Sequence, residues 1–173
     1  KKKELSHFRS EDLVLNYKDD PTDQEIDKFK HYLNNSARPV IICGQGIRLS
    51  KAIPEFMRFI RKYNIPVVAS HLGIDILPRD HPMYIGRIGN KGDRAGNFAL
   101  QNSDLVISLG SRLSVSSIGY EYNTFARGAK LVVIDIDPVE HKKNTVKIDL
   151  FINSDICNFL RSLKKITLND LSD

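Results

Sequence analysis

The strongest constraint in this sequence is a set of short, unbroken apolar runs, each followed closely by a turn. They are Pro39-Val40-Ile41-Ile42-Cys43, Ile65-Pro66-Val67-Val68-Ala69, Leu105-Val106-Ile107-Ser108-Leu109 and Leu131-Val132-Val133-Ile134. A strand with one wet face alternates apolar and polar residues. A run without alternation reads instead as a strand covered on both faces, as in a parallel sheet. Between the runs lie stretches with helical spacing. Thr22 and Glu25 make a capping box ahead of Ile26, Phe29 and Leu33. Ser50 is read as opening a second helix, with Ile53, Phe56, Met57 and Ile60 inward and Pro54 tolerated in its first turn. Strand, helix and strand within about 30 residues make a βαβ unit with a right-handed crossover.

Residues 70–92 read as a long loop punctuated by Gly and Pro, with a short strand near Met83 to Ile85. Residues 93–102 read as a short helix with Ala95, Phe98 and Ala99 inward. A polar and aromatic segment spans residues 114–125, and a weaker strand follows over residues 146–152. Ser154 is read as the cap of a last helix that carries Ile156, Phe159, Leu160 and Leu163 inward. The fold class is therefore α/β in three layers: a mainly parallel sheet of five to six strands with helices on both faces. Residues 1–19 are expected to be a linker or arm, residues 20–165 the domain, and residues 166–173 a fraying tail.

Composition narrows the function classes. The chain has 173 residues, and 26 Lys and Arg against 21 Asp and Glu give a formal charge of +5. That is too mild, and too widely spread without interleaved aromatics, to indicate a nucleic-acid partner. No apolar stretch approaches the roughly 20 residues of a membrane span. Cys43 and Cys157 are far apart and read as small buried hydrophobes in a reducing, cytoplasmic compartment. A charged start without initiator Met suggests an excerpt from a longer protein.

Catalytic patterns are sparse. The histidines His7, His31, His71, His81 and His141 lack metal-ligand spacing, so no metal site is expected in this chain. His31 reads as exposed, and His71, at a strand end, is the one to watch. There is no nucleophile elbow and no Walker A motif. What remains is a series of glycine-marked turns after strands: Gly44-Gln45-Gly46, Leu72-Gly73, Gly89-Asn90-Lys91-Gly92 and Gly110-Ser111-Arg112. In an open α/β sheet these gather on the carboxyl edge, where ligands bind. Glycine allows close backbone approach to phosphate oxygens, but it is also ordinary turn chemistry, and both readings stand. The dinucleotide fingerprint fails: Leu49 replaces its third glycine, and Ser70-His71 stands where an acidic residue would hold a ribose. Asp135 and Asp137 can accept from a ribose or adenine, or cap the next segment. Arg112 suits a pyrophosphate, or pairs with a neighbouring Asp.

Taken together, residues 38–46, 65–68, 89–97, 102–113 and 129–155 resemble the central domain of thiamine-diphosphate-dependent enzymes of the acetolactate synthase type. The resemblance covers nearly all of residues 20–164. It implies a Rossmann-like domain flanked by a pyrimidine-binding and a diphosphate-binding domain, which between them hold thiamine diphosphate and Mg²⁺. The parent would be a homodimer or tetramer acting on 2-oxo acids. This chain lacks the Gly-Asp-Gly of the diphosphate-binding domain, so it is expected to have no catalytic residues and no turnover alone. In some members the middle domain binds FAD or an ADP-bearing ligand; in others it binds no nucleotide and is a scaffold. By matching position a nucleotide would meet Gly44, Gln45, Gly46, Leu72, Gly73, Gly89, Asn90, Gly92, Gly110, Arg112, Asp135, Asp137 and Asp155. Residues 113–120 depart from the charged segment of the acetolactate synthases, which keeps another decarboxylase or carboligase on the same plan open as the parent. A free-standing FAD- or ADP-binding module and an NAD-dependent deacylase are the alternatives, the latter opposed by the absence of any Cys-x-x-Cys pair.

Overall fold

A computed structural model describes residues 20–163; the expected arm and tail lie outside the described residues. The helices are α1 (Asp23–Asn34), α2 (Gly46–Leu49), α3 (Ile53–Tyr63), α4 (Arg94–Asn102), α5 (Val115–Ile118) and α6 (Ile156–Ser162). The strands are β1 (Pro39–Cys43), β2 (Val67–Ala69), β3 (Tyr84–Arg87), β4 (Leu105–Leu109), β5 (Lys130–Asp135) and β6 (Leu150–Asn153). They form one sheet in the order β3-β2-β1-β4-β5-β6, with every pairing parallel.

The unbroken runs occupy the middle of this sheet. Every residue of β1, β2 and β4 is buried, as are the last five of β5. Their side chains point alternately into two cores. Ile41, Cys43, Val67, Ile107, Leu109, Val132 and Ile134 meet α1, α3 and α6 on one face. Val40, Ile42, Val68, Val106, Leu131 and Val133 meet Leu100 of α4 and Ile118 of α5 on the other. Two cores separated by one sheet are the expected three layers. The Phe29 and Phe159 rings cross edge to face at 5.0 Å and 87°, tying α1 to α6. Such a pair contributes about 0.5–1.5 kcal/mol beyond its buried area.

At the amino edge, Asp104 ties the start of β4 to the approach to β1. Its carboxylate accepts from the Ser36 hydroxyl, from the Ala37 N–H at 2.8 Å and from the Arg38 N–H at 2.9 Å. Burial works against the ionised form. These hydrogen bonds and the Arg38 charge outweigh it and hold the carboxyl below the usual carboxylate range.

The capping box on α1 forms as expected, with Thr22 and Glu25 satisfying each other's N–H groups. Three expectations need correction. Ser50 does not open a helix: its N–H closes α2 onto the Gly46 carbonyl at 2.9 Å, Lys51 turns the chain at φ 56°, and α3 starts at Ile53. Ser154 does not cap the last helix. The Asp155 carboxylate does, taking the Cys157 and Asn158 N–H groups at 2.8 and 3.1 Å, because one charged oxygen can satisfy two orphan donors. In α4 the buried residues are Gly96 and Leu100, while Ala95 and Phe98 are exposed. The helix lies so close to β3 that a Cβ on Gly96 would meet the Arg87 carbonyl oxygen at 2.4 Å. Among the described residues no helix is long and apolar enough to cross a membrane.

Candidate nucleotide crevice

The sheet order reverses between β1 and β4. Chain connections leave these two strands in opposite directions, which opens a crevice beyond their carboxyl ends. The floor is built from backbone. Gly44 donates its N–H to the Leu109 carbonyl at 2.9 Å, Gly46 donates to the Gly110 carbonyl at 3.0 Å, and Gly110 donates to the Ile134 carbonyl at 2.9 Å. The turns after β1, β4 and β5 are thus stitched side by side. Gly110 sits at φ 58°, a left-handed conformation that strains any residue with a Cβ.

Above this floor lies a crevice of about 450 Å³, within the ~300–1,000 Å³ usual for ligand clefts. It runs along the ends of β2, β1, β4, β5 and β6. Of the expected residues it gathers Gln45, Gly46, Leu72, Gly110, Arg112, Asp135, Asp137 and Asp155. Gly44 and Gly73 do not line it. Gly73 is buried beneath, donating to the Ser70 carbonyl at 3.0 Å while its own carbonyl accepts from the Cys43 thiol at 3.6 Å. Gly89, Asn90 and Gly92 lie off to the side, because β3 is an edge strand two positions from the reversal. Their loop binds α4 and α5 instead: Gly89 pairs with the Asn97 side chain at 2.9 and 3.0 Å, and the Asn90 N–H reaches the Ser116 carbonyl at 3.1 Å.

The crevice is acidic at one end and has a single guanidinium among its lining residues. Arg112 is 72 % exposed, with Asp137 at 3.7 Å and Glu140 at 3.8 Å. Pairs this long to an exposed guanidinium contribute little to stability, so Arg112 has donors to spare for an anion. The carboxylates are partly committed. Asp135 Oδ1 accepts the Asp137 N–H at 3.0 Å, and Asp137 Oδ1 accepts the N–H groups of Val139 and Glu140 at 3.0 and 3.1 Å. Each aspartate thus caps the turn with one oxygen, as one of its two readings expects, while Asp137 Oδ2 faces Arg112 and Asp135 Oδ2 lies 3.4 Å from His141 Nε2. Cys43, under the floor, is inert: burial pushes its thiol up to about 12.

The sequence reading missed the hydroxyls that Ser114 and Ser117 add to the crevice after β4, next to Ser111 of the glycine turn. The serines were visible as a polar segment, but no spacing rule tied them to the glycines. His71, singled out as a strand-end residue, does line the crevice and is exposed. Among the described residues no group of three or more His, Cys, Asp or Glu could hold a metal ion.

Comparison with known proteins agrees with this architecture. Residues 26–163 match the family model described as thiamine pyrophosphate enzyme, central domain. A probable acetolactate synthase large subunit of Methanocaldococcus jannaschii is 38% identical over 139 residues, 80% of this chain and 23% of the relative. The acetolactate synthase large subunit of Lactococcus lactis is 38% identical over 135 residues, 78% of this chain and 23% of the relative. A sulfoacetaldehyde acetyltransferase of Rhodobacter capsulatus is 30% identical over 120 residues, 68% of this chain and 20% of the relative. The chain thus spans about a quarter or less of the length of these relatives. By the extent of the match and the parallel six-stranded sheet that carries it, this chain belongs to the central domain family of the thiamine pyrophosphate enzymes.

Proposed function

We propose that the chain is the non-catalytic middle domain of a thiamine-diphosphate enzyme that makes or breaks a carbon–carbon bond beside the carbonyl of a 2-oxo acid, and that its crevice holds an adenine nucleotide, as ADP or as part of FAD. The observation that carries the nucleotide half is the exposed Arg112 guanidinium lining the crevice at the β1/β4 reversal, beside the glycine turns and next to Asp137. A diphosphate suits the arginine and the glycine turns, and a ribose suits Asp135 and Asp137. The family and the acetolactate synthase names of the relatives support the first half. Residues 113–120 and the acetyltransferase relative keep a different carboligase within the same reading.

Thiamine diphosphate supplies the electron sink for such chemistry when bound. In this reading Mg²⁺ and the cofactor are held by flanking domains of a homo-oligomeric parent, as the family implies. The two buried thiols accord with a reducing, cytoplasmic compartment.

Two assays test the two halves. With pyruvate, thiamine diphosphate and Mg²⁺ the chain alone should form no acetolactate or aldehyde; measurable product overturns the non-catalytic role. In a thermal-shift titration, ADP or FAD at 100 times its Kd should stabilise the fold by about 2.7 kcal/mol. No shift with either at millimolar concentration overturns the nucleotide half.

A further inference from the structure

His141 is not among the residues that the resemblance sets against a nucleotide and has no metal-ligand spacing, yet the fold buries it beside the crevice. The turn that Asp137 caps leads into a short 3₁₀ segment, Glu140–Lys142, which aims the imidazole inward. The side chain is only 4 % exposed, and its ring lies against Phe151 at 5.3 Å. Nε2 is buried without a hydrogen-bond partner, 3.4 Å from Asp135 Oδ2. An unpaired buried polar atom is destabilising, so its placement calls for a reason. Asp135 itself lines the crevice, and its other oxygen is fixed by the Asp137 N–H.

We propose that His141 is the positioning residue for Asp135: its Nε2–H closes onto Oδ2 when a ribose hydroxyl pair seats against the carboxylate, which is then held at both oxygens. This rests on the nucleotide reading above. Each carboxylate oxygen keeps a lone pair for the ligand after taking its protein donor. A carboxylate held in one orientation loses less freedom on binding than one that can turn.

The test compares ADP with 2′,3′-dideoxyadenosine diphosphate by calorimetric titration of the full chain. His141→Phe keeps the ring volume against Phe151 and removes the donor; His141→Gln keeps a donor. His141→Phe should weaken ADP by about five- to tenfold and leave the dideoxy compound within about twofold, and His141→Gln should recover most of the ADP loss. Equal loss for both ligands, no loss for ADP, or a glutamine variant as weak as the phenylalanine one overturns the role. Wild-type protein gives a second readout should the phenylalanine variant fail to fold. Its His141 Nε2–H should appear as a slowly exchanging proton signal when ADP is bound and not with the dideoxy compound; a signal absent with ADP, or present equally with both, overturns the role. Failure of the wild type to bind ADP is a separate result: it overturns the nucleotide reading and this role with it.

Discussion

Gly46 donates its N–H to the Gly110 carbonyl at 3.0 Å, and a Cβ on Gly110 would stand 2.5 Å from the Gly46 Cα. The two turns that meet where the sheet reverses are packed backbone to backbone. Gly110→Ala therefore meets both a left-handed φ and a clash with main chain that has no flexible end to move. Unfolding in urea should show a loss of about 2–4 kcal/mol. Gly128→Ala is the control: nothing lies within 4 Å of its Cβ and its φ is not left-handed. That variant should be unchanged or more stable by up to about 1 kcal/mol. Equal effects at the two positions would contradict the packing described.

Asp104 makes stability depend on acid. Its carboxyl is held below the usual range in the folded chain, so its contribution is complete above the unfolded value of about 3.9 and is lost as pH falls through the folded value. Asp104→Asn should cost about 1–2 kcal/mol at pH 7, for weakened hydrogen bonds from Ser36, Ala37 and Arg38. Urea melts repeated below pH 4 should show the gap between variant and parent closing. A gap that stays constant or widens there would show that the contacts do not favour the charged form.

Cys43 and Cys157 are the chain's two cysteines, and both are buried. With the Cys43 thiol pushed up to about 12, native protein should react with a thiol-specific chromogen at neutral pH far more slowly than unfolded protein. Two equivalents should be released in denaturant. Rapid titration of Cys43 in the native state would contradict its burial.

The parts of this fold that the sequence made legible are those with a repeated physical signature. β1 and β4 are buried on both faces and read as unbroken apolar runs. The edge strands β3 and β6, only partly covered, gave weaker patterns and looser boundaries. α2 is four residues long, too short to show a period. The buried face of α4 was misread because its closest contact is made by Gly96, a residue with no side chain to signal it. The crevice floor was legible because glycines follow the central strands. The Gly89–Gly92 turn shares that signature without sharing the site, since only strand order separates a turn at the reversal from one at the sheet edge. His141 and the serines were illegible for a related reason: their roles depend on which turn lies beside Asp135 and Gly110 in space.

Arg112 separates a structural from a ligand-binding role. Its ion pairs are long and its own side chain is exposed, so Arg112→Ala should change stability by no more than about 0.5 kcal/mol. If the guanidinium meets a diphosphate, the same variant should weaken ADP by about tenfold or more, for loss of charge-assisted hydrogen bonds. A large loss of stability with unchanged ADP affinity would reverse the assignment.

The most direct test of the crevice is a crystal structure of the chain grown with ADP. We expect the nucleotide along the carboxyl edge between Gly46 and Asp155, its diphosphate within hydrogen-bond reach of Arg112 and its ribose hydroxyls facing Asp135. ADP seated anywhere else, or an empty crevice at saturating ADP, would contradict the account.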